Sequence, residues 1–213
     1  MKYGITLLCA CLASACIHLQ AQAQPAVADS SAKPGWEFGA TVNANFVPDD
    51  FFLNPVLTAD RKHLHLEARY NYEDFQTVSL WGGYSFWGGK KLEWNLIPMS
   101  GIILGNTKGV APGLLATLTY KRFEFYTEGE WLISIEDINN NFIFFWSDLS
   151  SSPWDWLSIG YSGQRTRLYR TEKDIQKGLL AGLNYKKASL TTYFYNIGSY
   201  ESFFVLVSAS IRF

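Results

Sequence analysis

Cysteine is scarce in this chain, and its placement is informative. The only three, Cys9, Cys11 and Cys16, sit in an apolar N-terminal stretch of the 213-residue sequence. Beyond that stretch there is no disulfide framework, no thiolate metal site and no thiol nucleophile. Histidine is equally rare: after His18, only His63 and His65 remain. Charge is thin at 17% of residues, against about 25% in ordinary soluble domains. Its signs almost cancel (18 Lys+Arg, 19 Asp+Glu, net -1), which excludes a general nucleic-acid binder. No later run approaches the ~18 consecutive apolar residues of a membrane-spanning helix. No 3.6-residue periodicity is sustained, and Walker, dinucleotide and GxSxG patterns are missing. A chain this hydrophobic is not disordered.

What the sequence has in plenty is aromatic side chains, with 8 Trp, 12 Tyr and 15 Phe. A soluble domain of this size has little room for them. The N-terminus accounts for none of this surplus. Lys2, the apolar stretch Ile5 to Leu19 and the small-residue site Ala21-Gln22-Ala23 have the form of a secretory signal peptide. We expect it to span residues 1–23. A weaker alternative is lipidation at Cys16 after Ala13-Ser14-Ala15. Residues 24–34 read as a flexible lead-in, and 35–213 as the folded unit.

That unit reads as strand after strand. From Arg61 to Glu73 the residues Leu64, Leu66, Ala68, Tyr70 and Tyr72 fall on one face. His63, His65, Glu67, Arg69, Asn71 and Glu73 fall on the other. A strand separates these sets; a helix would mix them. The alternation returns in Leu114 to Lys121, in Phe123 to Ile133 and in Phe203 to Phe213. About twelve strands are expected, or ten if the Pro48- and Pro55-containing early region is left out. Short turns alternate with longer connections, as in transmembrane barrels. The fold class expected is therefore all-β, an antiparallel up-and-down transmembrane β-barrel. Its apolar face would meet lipid, with aromatic girdles at both interfaces that include Trp36, Tyr70, Tyr72, Trp131, Trp154 and Tyr195.

The opposite face would line the lumen, and any chemistry belongs there. Its members are His63, His65, Glu67, Arg69, Asn71, Glu73, Glu93, Asn95, Lys121, Glu124, Glu128, Glu130, Asp148, Gln164 and Arg212. Either these charges form a network that fills the bore, with Arg69 and Lys121 paired to glutamates, or they line a narrow pore. His63, His65 and Glu67 share a face, but a polar stripe is the better reading than a metal site, and no cofactor is expected. A lipid hydrolase or lipid A-modifying enzyme is an alternative. It is weakened because only His63 and His65 are available as base, and Ser162 in Gly160-Tyr161-Ser162-Gly163 lacks the strand-to-helix elbow. A further alternative is an exported soluble β-barrel binding an apolar ligand. Arg165 and Arg167 point outward by strict alternation, where lipopolysaccharide phosphates would suit them. A bulge would turn them inward, towards Glu130 or Asp148.

Together, the leader, the repeated strands with aromatic ends and the C-terminal strand Phe203 to Phe213 make the chain similar to bacterial outer-membrane β-barrel proteins. Lys62 to Glu73 and Gly163 to Tyr169 resemble small uncharacterised members. The resemblance implies a porin-like Gram-negative outer-membrane protein, with outer-membrane lipids and lipopolysaccharide as its surroundings. It also implies that Phe213, the terminal aromatic, is the signal read by the barrel-assembly machinery.

Overall fold

The structure, a computed structural model, describes residues 35–166 and 175–213. The expected signal peptide, the lead-in, the cysteines and Arg167 lie outside the described residues. Twelve staves make up the wall. They are β1 (Glu37–Val47), β2 (Asp50–Arg61), β3 (Leu64–Tyr70), β4 (Thr77–Tyr84, resuming after Ser85 as Phe86–Gly88), β5 (Leu92–Gly105) and β6 (Gly109–Tyr120). The second half comprises β7 (Phe123–Ser134), β8 (Phe142–Trp154), β9 (Leu157–Arg165), β10 (Gln176–Tyr185), β11 (Ala188–Tyr195) and β12 (Phe204–Arg212). Both segments of β4 pair with β5, so the thirteen hydrogen-bonded segments form twelve strands. A single 3₁₀ turn, Ile138–Asn140, is the one helical piece among the described residues.

Every pairing is antiparallel, and the sheet closes on itself. β1 pairs with β12 from Gly39↔Arg212 to Phe46↔Val205. The terminal Phe213 extends that seam, its amide donating to the Phe38 carbonyl at 3.0 Å and its carbonyl accepting from Phe38 at 3.1 Å. Closure leaves no sheet edge with unpaired backbone. Both described chain ends lie at the end of the barrel where the strands are joined by the turns 62–63, 89–91, 121–122, 155–156 and 186–187. Lys62, Lys121 and Lys186 take left-handed conformations there, with φ near 54–57°. Longer connections, 71–76, 135–141 and 196–203, lie at the opposite end, beside the tight Pro48-Asp49 turn.

Two strands run longer than their sequence suggests. β6 begins at Gly109 rather than near Gly113, because Pro112, which lacks an N–H, falls where the ladder to β7 skips. β8 continues through Pro153 to Trp154, with a register shift opposite Leu157/Ile159 absorbing the irregularity.

The two faces of the wall have opposite character. Outward positions are mainly apolar, and Leu57, Leu104 and Leu183 are each more than half exposed at 57%, 54% and 52%. Outward aromatics gather at the rims. At the short-turn end Trp36 stacks on Phe38, and Phe38 on Phe213, with centroids 6.2 and 6.1 Å apart. Trp154 stacks on Trp156 there as well, at 5.9 Å. Two tyrosines expected in the girdles face inward instead. Asn71 adopts φ 52° at the end of β3, which breaks the alternation and turns Tyr72 into the bore. Tyr195 shares the inward parity of Tyr193, while Phe194 between them takes the outer face.

Candidate functional site: the lumen

The bore is filled in its long-loop half. Phe52, Tyr72, Phe144, Trp146, Leu180, Tyr193, Tyr195, Phe204 and Leu206 form one buried cluster. Trp81, Ile97, Met99, Ile103, Leu115 and Leu132 form another. Phe52, Phe144, Tyr195 and Phe204 stand at the long-loop ends of their strands, while Trp81, Ile97, Leu115 and Leu180 stand nearer mid-strand. A cavity of about 10 Å³ bordered by Asn43, Asn54, Tyr72 and Gln164 has room for roughly one water.

Arg69 sits where these clusters meet. Its Nε donates to Glu67 Oε2 at 2.6 Å, and its Nη1 donates to Glu130 Oε2 on β7 at 3.1 Å. Glu73 Oε1 lies 3.7 Å from the same Nη1. The guanidinium is flanked by the Tyr72 and Trp81 rings, 4.6 and 4.8 Å from their centroids. Such planar stacking with forked donation suits Arg and not Lys. β3 and β7 are separated by three staves, so the Arg69–Glu130 bond crosses the lumen rather than running along the wall.

The remaining carboxylates are held by hydroxyl and indole donors. Glu73 Oε1 accepts from Ser79 Oγ at 2.5 Å and Trp81 Nε1 at 3.1 Å. Glu128 accepts from Tyr126 at 2.6 Å and also from Tyr72. Burial, and then the Glu128 carboxylate, push the Tyr72 phenol well above its usual pKa, so it stays a donor. Asp148 accepts from Trp146 Nε1 at 2.8 Å and Tyr193 at 2.9 Å. Charge-assisted bonds of this kind satisfy groups that would otherwise be costly to bury.

The sequence-predicted lumen residues divide into groups. His65, Glu67, Arg69, Glu73, Asn95, Glu128, Glu130, Asp148 and Gln164 are brought together in the interior. Glu124 and Arg212 are inward but partly exposed, nearer the short-turn end. Glu93 lies exposed at that rim. Asn71 has left the strand. Its Oδ1 accepts from the Gln76 amide at 2.7 Å, closing the 71–76 loop. Lys121 is in a turn, exposed, 5.3 Å over the Tyr120 ring, and pairs with no glutamate among the described residues. His63 precedes β3 and is also exposed, stacked between Tyr84 and Trp87 at 4.9 and 4.4 Å, with Nδ1 2.8 Å from the Ser85 carbonyl. The shared error for Asn71, Lys121 and His63 is extending a strand's alternation past its end.

Asp60, opposite His65 in register, is a partner that sequence reasoning missed. His65 Nδ1 lies 2.7 Å from Asp60 Oδ1 and Nε2 lies 2.8 Å from Glu67 Oε1. Each ring nitrogen faces a carboxylate, which leaves neither to serve as a base towards a serine. Ser162 instead bonds the Tyr195 hydroxyl at 2.6 Å. Among the described residues, no group of three His, Cys, Asp or Glu side chains is arranged to hold a metal ion. Arg165 lies opposite Phe145 in register and on the outer face, its Nη1 donating to the Ile143 carbonyl at 3.3 Å.

No family model matches the chain, and no curated protein matches it. Among solved structures it is similar to the crystal structure of the Acinetobacter baumannii outer membrane protein Omp33. That similarity has a TM-score of 0.48 at 12% sequence identity, and covers 84% of this chain and 98% of that chain.

Proposed function

We propose that this protein is an integral outer-membrane β-barrel whose charged lumen is held shut at rest, giving it a structural or narrow, gated passage role. The observation that carries the reading is the inverted polarity of a closed sheet, with apolar side chains outside and charges inside. In water such an outer face would be a large aggregation-prone surface. In lipid it is the required one, because a closed barrel satisfies its whole backbone internally. The aromatic fill around Arg69 favours a closed bore over an open channel. Nothing in the placement of His63, His65 or Ser162 favours a hydrolase.

The test is refolding of the full chain in detergent, followed by electrophoresis and planar-bilayer recording. The unheated protein should migrate differently from the boiled one and add no steady conductance. Solubility without detergent would overturn the membrane reading, and a large constitutive conductance would overturn the closed lumen. On the same reading Arg165, with Arg167, meets lipopolysaccharide phosphates, and the strand ending at Phe213 is what the barrel-assembly machinery engages. Unchanged lipopolysaccharide co-purification in Arg165→Ala/Arg167→Ala would sink the first. Unimpaired assembly on deletion of Phe213 would sink the second.

A further inference from the structure

Among the described residues, the two rims of the barrel differ in charge. At the short-turn end, Arg61-Lys62, Lys90-Lys91, Lys121-Arg122 and Lys186-Lys187 lie in or beside the connections β2–β3, β4–β5, β6–β7 and β10–β11, all exposed. None of these side chains lies within 4.0 Å of a carboxylate among the described residues. The acids at that end do not neutralise them. Asp60 is engaged with His65, Glu124 faces the bore, and Glu93, Glu37 and Asp155 stand apart. At the long-loop end the described charges are mainly acidic: Asp49, Asp50, Asp74, Glu136, Asp137 and Glu201 against Lys108, Arg165 and Lys177. Lys108 is already paired with Glu136 at 2.7 Å.

Three of the basic side chains lie against aromatic rings. Arg61 lies 5.7 Å from the Trp36 centroid, Lys121 5.3 Å from Tyr120 and Lys186 5.2 Å from Tyr185. Those rings belong to the outward girdle, so the cations sit at the depth where a membrane's headgroups begin. We propose that this rim is a binding surface for the phosphates of anionic phospholipids in the leaflet on the short-turn side. Unpaired Lys and Arg at an interface are drawn to anionic headgroups, and the attraction fades within a Debye length. The inference rests on the membrane-embedded reading above and assigns each leaflet its own partner.

The experiment reconstitutes the folded full chain into phosphatidylcholine vesicles containing a minor fraction of phosphatidylglycerol. In separate samples one or the other lipid carries brominated acyl chains, which quench tryptophan. Trp36, Trp154 and Trp156 report the short-turn rim, so each is replaced by Phe in turn to assign the quenching. Phosphatidylglycerol should be enriched there on the order of fivefold, the effect of one cation near an anionic surface. Enrichment should fall as salt rises. It should vanish in the variant Arg61→Gln, Lys62→Asn, Lys90→Gln, Lys91→Gln, Lys121→Asn, Arg122→Gln, Lys186→Asn, Lys187→Gln, where Asn keeps the left-handed turn positions tolerable. Equal quenching by both lipids overturns the proposal, as does enrichment that persists in high salt or in the variant. Should the variant not fold, the salt dependence of the wild-type chain decides alone. Failure of the wild-type chain to insert strikes the membrane reading instead.

Discussion

The two halves of the bore are built from different residues. In the long-loop half the inward positions include Tyr, Phe, Trp and Leu, with Tyr195, Phe204, Leu206 and Leu132 at 0–1% exposure, alongside buried Asn45, Asn54, Gln164 and Gln176. In the short-turn half, one wall from β1 through β12, β11, β10 and β9 to β8 is almost wholly Ser, Thr and Gly. Register places Thr41 opposite Ser210, Ser208 opposite Thr191, Thr191 opposite Gly182, Gly182 opposite Ser158, and Gly160 opposite Ser150. Ser150, Ser158, Thr191, Ser208 and Ser210 all keep partial exposure. A twelve-stranded bore is wider than the ~8-stranded barrel that side chains just fill. Small residues cannot close it and large ones can. The aromatic fill thus belongs mainly to one half, and Arg69 sits among its rings.

Removing that cation should have the largest effect. Arg69→Met leaves Glu67 and Glu130 buried without their cation. Breaking a buried pair on one side costs about 3–5 kcal/mol, to be read from urea unfolding in detergent. The seal should loosen as well. Planar-bilayer recordings of the variant should show conductance steps that favour cations, because the lumen groups left behind are acidic. Anion-selective steps would contradict the assignment of this half as an acid-rich plug. Arg69→Lys should recover only part of the stability, since an ammonium cannot supply the fork and the stacking together.

Next in size is packing in the same half. Tyr195→Ala, at a fully buried position stacked 4.8 Å from Phe204, should cost about 3 kcal/mol or more. Ser208→Ala, in the other half, should stay within about 0.5 kcal/mol. Gly101 offers a test by addition. A methyl there would meet the Trp81 ring at 2.4–2.8 Å, so Gly101→Ala should cost about 1–3 kcal/mol by overpacking. A neutral outcome would mean that the Trp81 side of the plug is loosely packed.

How much of this was legible follows from what period-two alternation encodes. It sorts residues to two faces within a strand, so it groups His65, Glu67, Arg69, Glu128 and Glu130 on one face, and those side chains are buried in the structure. It says nothing past a strand's end. Asn71 and Lys121, both with positive φ, took leave of the pattern there, and Tyr72 entered the lumen. Alternation also does not say which inward residues meet across the bore. The Arg69–Glu130 contact joins residues 61 positions apart, and Tyr193 meets Asp148 across 45. The inward aromatics were hidden for another reason: Tyr and Trp suit both a girdle and a lumen. Shared parity with a carboxylate, as in Trp146 and Asp148, was the one signal that could have told them apart.

A comparison of couplings is the sharpest test of the contrast between the halves, because it compares like with like. Thr41 and Ser210 share a hydroxyl hydrogen bond of 2.8 Å in the short-turn half. Tyr193 and Asp148 share one of 2.9 Å in the long-loop half. What a bond contributes depends on what its partner does when left alone. A hydroxyl that water can reach is re-solvated, whereas a buried carboxylate is not. A double-mutant cycle on Thr41→Val and Ser210→Ala should therefore give a coupling at or below about 1 kcal/mol. The cycle on Tyr193→Phe and Asp148→Asn should give about 1.5–3 kcal/mol, as for bonds to charged groups. Equal couplings would mean that water reaches both halves alike, and the seal would have to be sought outside the aromatic layer.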